Sequence, residues 1–382
     1  MKRIGVLILS ALLIIINLTS AVSAKTNGIK VSLDNIEDIM IENSPDMKIA
    51  NNNFKIAEEN YDDLVDNVKD LEKDKDKLEK HKNKLEEDKN KLEEDKLEKD
   101  IEETESLIKK TNNSLKDLKE TKNKAKYTLR ISRIQYDQNV KKLVFSAQQE
   151  YIDYLDTLSK KELKKDEVTF QQKKIDTNKM KYEMRFISKK EYTSNLIDNT
   201  DVDNSLEELN RKEEIALKNL YLSLGIPANT EIIVNNDINA DLDKISKLKF
   251  QDDLEMMLDN NSNIKIKDIE LDKEENSDDN DYLIDNAEIY LEQEKNNAKL
   301  EFEKQYNILM TSYNTIKNSN VKLNENQNNF NVMQAKYNYG FVSKNQTDDL
   351  ERELNTKKSD FVSEKNSLYV NYLRYLQMKE GY

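Results

Sequence analysis

The chain has no cysteine, no tryptophan, one histidine, two prolines and five glycines among 382 residues. Each shortage excludes something. Without cysteine there is no disulfide and no lipid-bearing thiol behind a leader peptide, so stability has to come from packing. A single histidine with no cysteine makes no zinc site, and His81 lies in a run of charged residues, where it reads as a solvated helix side chain. So few glycines and prolines leave little turn material for compact bodies. Apolar residues amount to 36%, below the usual figure of about 45–50%. The length alone would allow two globular domains. The composition instead favours long helices, which need neither turns nor a thick core.

Catalytic signatures are missing as well. There is no nucleophile–base motif, phosphate loop or metal-ligand cluster, and the carboxylates are too numerous for any pair to stand out. The acidic run Asp278–Asp281 lacks the glycine-turned loop of a calcium site. No catalytic, cofactor-binding or metal residue is assigned, an enzyme is not expected, and no small-molecule substrate is implied. The formal charge is −14, and loss of Lys2 and Arg3 with a leader makes it more negative still. That field disfavours nucleic acid and anionic lipid as partners.

What is present begins with an export signal. Lys2 and Arg3 precede an apolar run, Val6 to Leu18, and Val22-Ser23-Ala24 supplies small residues for cleavage after Ala24. The alternative is an uncleaved anchor, although the run is short of the roughly 20 residues needed to span a bilayer. No later segment is long and apolar enough to do so.

Ser44-Pro45-Asp46 reads as a helix start: a hydroxyl cap, a proline at the first position and an acid at the positive end. A heptad follows. Met47, Phe54, Tyr61 and Val68 occupy one seam position, and Ala50, Ala57, Leu64, Leu71, Leu78, Leu85 and Leu92 the other. After Val68 the first position turns to lysine, at Lys75, Lys82 and Lys89. A lysine stem can pack there while its ammonium stays wet. This is a soluble, weakly paired stalk or a lone helix held by i,i+4 pairs. The leucine phase slips near Leu97, and a new seam runs through Ile101, Ile108, Leu115 and Leu118. The polar tetrad Thr111–Ser114 is the expected turn of the first hairpin, with arms of about 70 residues, on the order of 100 Å.

Two internal echoes organise the rest. "KYEMRFISKKEY" (Lys181–Tyr192) returns as "KYNYGFVSKNQT" (Lys336–Thr347), and Met47, Ile49 and Phe54 correspond to Ile264, Ile266 and Leu271. Such self-similarity marks a duplicated unit. The first copy is longer between its opening and its aromatic phrase, and the lysine–leucine heptads occupy the excess. Gly225 and Pro227 end the helix that follows the first phrase. Glu231–Val234 could form a short strand. In the second copy Asn276–Asp281 and Lys295–Ala298 compete as turns, and only the latter gives arms of similar length.

The organisation is therefore expected as follows: leader 1–24; first helical repeat 25–230 with a coiled-coil extension over about 66–126; connector 231–249; second helical repeat 250–382. The fold class is all-α, two tandem unequal long helical hairpins forming antiparallel coiled coil, with left-handed supercoiling from the 3.5-residue period.

"SLDNIEDIMIENSPDMKIA" (Ser32–Ala50), "YNYGFVS" (Tyr337–Ser343), "YEMRFIS" (Tyr182–Ser188, with Arg185 in place of glycine) and "LYLSLGIP" (Leu220–Pro227) together resemble the outer-membrane efflux protein family of the TolC type. The resemblance implies a helical barrel built by a homotrimer. It also implies that Tyr182, Arg185, Phe186, Ile187, Ser188, Tyr337, Gly340, Phe341, Val342 and Ser343 form hairpin tips that meet the adaptor (membrane-fusion) protein of an efflux or secretion pump. Read from the residues alone, the phrase is a helix–turn–helix corner with Phe341 plugging its end. The family's membrane barrel needs a strand pair in each repeat, alternating apolar and polar side chains. The matching places here hold lysine–leucine heptads and asparagine-rich helix. The chain is thus expected to be an exported, envelope-associated duct or spacer with no barrel of its own. The alternative is an exported coiled-coil surface or structural protein without transport activity.

Overall fold

The computed structural model describes residues 28–92, 95–235, 238, 241–277 and 280–382; the leader and Ala24 lie outside them. The first half comprises strand β1 (Ile29–Val31), helices α1 (Ile36–Asn43), α2 (Pro45–Leu92), α3 (Asp95–Glu183) and α4 (Lys189–Leu224), and strand β2 (Ile232–Val234). The second comprises α5 (Leu242–Ser246), α6 (Phe250–Asn260), α7 (Ser262–Glu275), α8 (Asp281–Asn338) and α9 (Lys344–Lys379). The architecture is all-α in substance. Among the described residues the only strands are β1 and β2, which pair in parallel with Ile29 opposite Ile232.

Two long helices, α3 of 89 residues and α8 of 58, run through the molecule. Shorter helices fill the slots beside them. Towards one end α9 lies between α8 and α3, with α4 on the other side of α3. Towards the opposite end α7 takes the place of α9, and α2 that of α4. The short helices meet end to end. Ser44 divides α1 from α2 in extended backbone, and its Oγ accepts the Met47 N–H at 3.4 Å. Asn261 divides α6 from α7 in the same way, and its Oδ1 accepts the Ile264 N–H.

The two glycines that end the repeats sit against these breaks. Gly225 (φ +71°) caps α4, and a β-carbon there would lie 2.5 Å from Ser44 Cα. Gly381 (φ +94°) follows α9, and a β-carbon there would lie 2.2 Å from the Asn260 carbonyl oxygen. The Gly381 carbonyl accepts the Ser262 N–H at 2.8 Å. Only glycine combines the left-handed backbone with this approach. The duplication read in the sequence is therefore a duplication of joints.

Two apolar cores flank the joints. One gathers Ile36, Met40, Tyr151, Leu220 and Leu224 under the β1–β2 pair. Tyr151 is buried, and its hydroxyl donates to the Asn235 carbonyl at 2.6 Å, accepts the Asn235 N–H at 3.0 Å and lies 3.1 Å from the Val31 carbonyl. The other gathers Met257, Ile264, Phe302, Leu309, Leu368 and Tyr375. Tyr375 stacks on Phe302 at 4.9 Å and donates to Asp253, which also pairs with Lys379 at 2.5 Å. Burial first, and then the Asp253 hydrogen bond and charge, push the Tyr375 phenol far above its ordinary range.

One expected turn falls elsewhere, and of the two segments competing for the other, Asn276–Asp281 is the one used. Thr111–Ser114 lies inside α3, and the chain reverses between Leu92 and Asp95. Cross-helix ion pairs fix this register: Lys89–Glu98 at 2.9 Å, Lys82–Glu105 at 2.6 Å and Glu72–Lys119 at 2.6 Å. Thr111 is half-buried on the seam of Ile101, Thr104, Ile108, Leu115 and Leu118, so the helix gains by continuing through it. Lys295–Ala298 likewise lies inside α8, with Ala298 buried; the break falls between Glu275 and Asp281, where Asn280 caps α8. The second hairpin therefore has one short arm, the 14-residue α7.

The seam of α2 runs as read. Met47 and Val68 are buried, and Leu71, Leu78, Leu85 and the interposed Lys75, Lys82 and Lys89 are half-buried. The hydrogen bonds from Lys119 and Lys89 hold the Glu72 and Glu98 carboxyls below their usual range, and Glu105 raises the Lys82 ammonium. Depressed carboxylates stabilise above their unfolded pKa of about 4.3 and lose that contribution as pH falls through the folded value; raised Lys82 stabilises below about 10.4 and loses it as pH rises beyond. The α2–α3 pairing is accordingly expected to be tightest between about pH 5 and 10. It should loosen at about pH 3 or in molar salt before the apolar cores do, seen as faster amide exchange confined to 66–126.

Candidate functional site

At the first tip α3 ends at Glu183 and α4 starts at Lys189. The Phe186 N–H donates to the Lys181 carbonyl and the Arg185 N–H to the Tyr182 carbonyl, the paired bonds of a left-handed helix end. At the second tip the Phe341 N–H donates to Lys336 and the Gly340 N–H to Tyr337. The correspondence is residue for residue. Arg185 sits at φ +64° and Gly340 at φ +77°. Among the described residues Arg185 is the one non-glycine with positive φ. Arg185→Gly is expected to raise stability by about 0.5–1 kcal/mol, since the left-handed cost of a side chain exceeds glycine's entropy loss; thermal unfolding checks it.

Each turn is closed by a serine cap. Ser188 Oγ accepts the Glu191 N–H at 3.1 Å. Ser343 Oγ accepts the Gln346 N–H, and Gln346 Oε1 accepts the Ser343 N–H at 2.9 Å, a complete capping box. Glu191 and Gln346 thus hold the same third helical position, which explains why acid and amide alternate there.

Phe341 does not plug its hairpin. It is 78% exposed, Phe186 75% and Tyr339 80%. Met184 is also exposed, while Ile187 and Val342 turn inward and are half-buried. Tyr182 stacks on Tyr192 across its turn, with ring centroids 5.2 Å apart. Tyr182 and Tyr337 lie at the border of exposure, and Ser188 and Ser343 face solvent. Each tip therefore holds an aromatic ring and a second large apolar side chain out into water, on a backbone fixed by turn and cap.

Between the two hairpins, α3 and α9 enclose a cleft of about 890 Å³, lined by Lys164, Phe170, Lys344, Asp348 and Arg352 among others. The Arg352 guanidinium lies over the Phe170 ring at 4.7 Å and pairs with Asp349 at 2.7 Å. Deeper along the same pair, the Ser363 hydroxyl donates to Asp156 at 2.6 Å.

No family model matches the chain, and no curated protein does. Solved structures do. A CusC crystal structure, from work on folding and transmembrane channel formation, aligns over 96% of each chain with 11% identity and a TM-score of 0.59. The open-state MtrE outer membrane channel of Neisseria gonorrhoeae aligns over 91% of this chain and 89% of its own, with 10% identity and a TM-score of 0.59. The CmeC outer membrane channel of Campylobacter jejuni aligns over 69% and 68%, with 11% identity and a TM-score of 0.51. The chain has the TolC-type efflux-protein fold.

Within that TolC-type frame the two tips are the repeated corners that the sequence marks. Reading the sequence missed Met184 and Tyr339, the exposed residues just before the left-handed position. Their signal was available: they recur at the same offset as the rest of the phrase, and neither is needed by a seam. The TolC-type fold is present here with no closed strand barrel among the described residues. No described helix is long and apolar enough to cross a membrane.

Proposed function

We propose that the chain is a TolC-like envelope component of an efflux or secretion system: after export, copies close into a helical duct or spacer that docks an adaptor protein through its tips. The observation carrying this reading is the pair of capped, left-handed turns that hold Phe186, Tyr339 and Phe341 in solvent at one end of the layer. Exposed aromatics on a rigid turn are costly unless a partner covers them.

Closure into a ring is supported by the layer's edges. Along one edge Ile49 and Ile56 of α2, and Ile197, Ile215 and Leu222 of α4, are exposed. Along the other, Leu300, Ile308, Val321 and Val332 of α8 are exposed, on the side away from buried Phe302, Leu309 and Ile316. Two different apolar edges on one subunit suit head-to-tail contact, which forms a ring when the rotation closes. The mass of the mature protein in solution tests this: a discrete trimer supports the duct.

A second reading, an exported coiled-coil surface or structural protein without transport, draws on the charged α2–α3 extension. A monomeric or dimeric rod that binds no adaptor would favour it.

A further inference from the structure

The outer part of the α2–α3 pair differs from the rest of the molecule. Tyr127 is buried with its hydroxyl 3.4 Å from the Asp272 carbonyl, and Arg130 pairs with the Asp272 carboxylate at 2.6 Å. These contacts with α7 clamp α3 to the second half. Beyond them, among the described residues, every side-chain hydrogen bond and ion pair of 66–126 is made within that segment, apart from the one-turn bond from the Thr128 hydroxyl to the Lys124 carbonyl at its base. From the clamp to the reversal is about 30 residues of helix, or roughly 45 Å.

Its surface is unlike an interface. Leu107 is the one exposed large apolar side chain among the described residues of 66–126. Lysines and carboxylates are nearly equal in number there, so the segment contributes little to the acidic charge of the chain. Such a surface offers no apolar patch for association and no one-sign field for attraction. Its seam is closed internally: Val68, Thr104 and Leu115 are buried, Lys75, Lys82 and Lys89 lie half-buried along it, and the three ion pairs span α2 and α3 in one register.

We propose that residues 66–126 are a self-contained spacer arm, folding as its own unit and adjustable by whole heptads, and not a surface through which copies or partners join. This goes beyond the duct reading and does not depend on it, because the arm's contacts are internal whether or not the edges close into a ring. The heptad makes the claim specific. Residues 75–81 of α2 face 106–112 of α3, so deleting both removes one repeat from each strand and rejoins the seams in register. Deleting 75–88 with 99–112 removes two.

The test measures solution mass, longest dimension by small-angle scattering, thermal unfolding and amide exchange on the full-length mature chain and both variants. The expected result is shortening by about 10 and about 20 Å, with unchanged solution mass and an unchanged main unfolding transition. A third variant lacking only Lys75–Leu78 breaks the register and is expected to speed amide exchange within the arm alone. A change in oligomer mass on heptad deletion would overturn the proposal, since the arm would then be an interface. So would a fall of the main transition, or exchange spreading from the arm into the apolar cores in the register variant.

Discussion

Gly225→Ala and Gly381→Ala are each expected to destabilise the chain by about 3 kcal/mol or more, enough to lower the melting temperature by several degrees and to split the two halves in unfolding. Two costs add at each position. A side chain at positive φ carries a penalty of about 1–2 kcal/mol. The new β-carbon would also stand 2.5 Å from Ser44 Cα or 2.2 Å from the Asn260 carbonyl oxygen, and both are backbone that cannot swing aside. Gly340→Ala is the control. Its φ is +77°, but a β-carbon there meets nothing within 4 Å, so only the conformational cost remains, about 0.5–1 kcal/mol once glycine's own entropy loss is set against it. Equal losses at all three glycines would mean that the end-to-end joints do not bear on each other as described.

The second large effect concerns the tips and rests on the proposed docking. Phe186→Asp together with Phe341→Asp is expected to weaken binding of a purified efflux-pump adaptor from the same organism by about 100-fold or more, the loss typical of aromatic anchors removed from an interface. The melting temperature should hardly move, because surface replacements away from a core or cap stay within about 0.5 kcal/mol, and both rings face water. Solution binding and thermal unfolding on the same preparation separate the outcomes. Undiminished binding with folding intact would remove the tips from the docking surface. A large stability loss would mean that the rings pack in a way that their exposure denies.

The tips and joints were legible in the sequence because they are punctuated. Ser44-Pro45, Gly225 with Pro227, and Gly340 followed by Ser343 are residues whose backbone or capping chemistry leaves few alternatives, and duplication repeats most of them. The α2–α3 reversal was not legible as a turn. Its neighbourhood is acid and lysine like the helices it joins, and the one trace was the leucine phase slip near Leu97. Thr111–Ser114 looked more like a turn because threonine and asparagine leave helices readily, yet Thr111 lies on a seam whose packing outweighs that preference. Strand β2 was suspected at Glu231–Val234, but its partner Ile29–Val31 was not. A three-residue parallel strand has no alternation to read, and its mate is far away in sequence. In the candidate site the repeated phrase identified the turn, while the outward direction of Phe341, next to a half-buried Val342, was not readable from it.

The β1–β2 pairing also bears on the order in which the protein can be assembled. A nascent chain presents Ile29–Val31 first, and Ile232–Val234 about two hundred residues later. At about 5–20 residues per second that is a wait of roughly 10–40 s, during which the leading strand has no mate and Tyr151 has no Asn235 to hold. The long helices can zip locally in the meantime. The first half is then latched by its own last segment, so a chain stalled short of residue 232 would emerge with its helices wound and its front end unfastened.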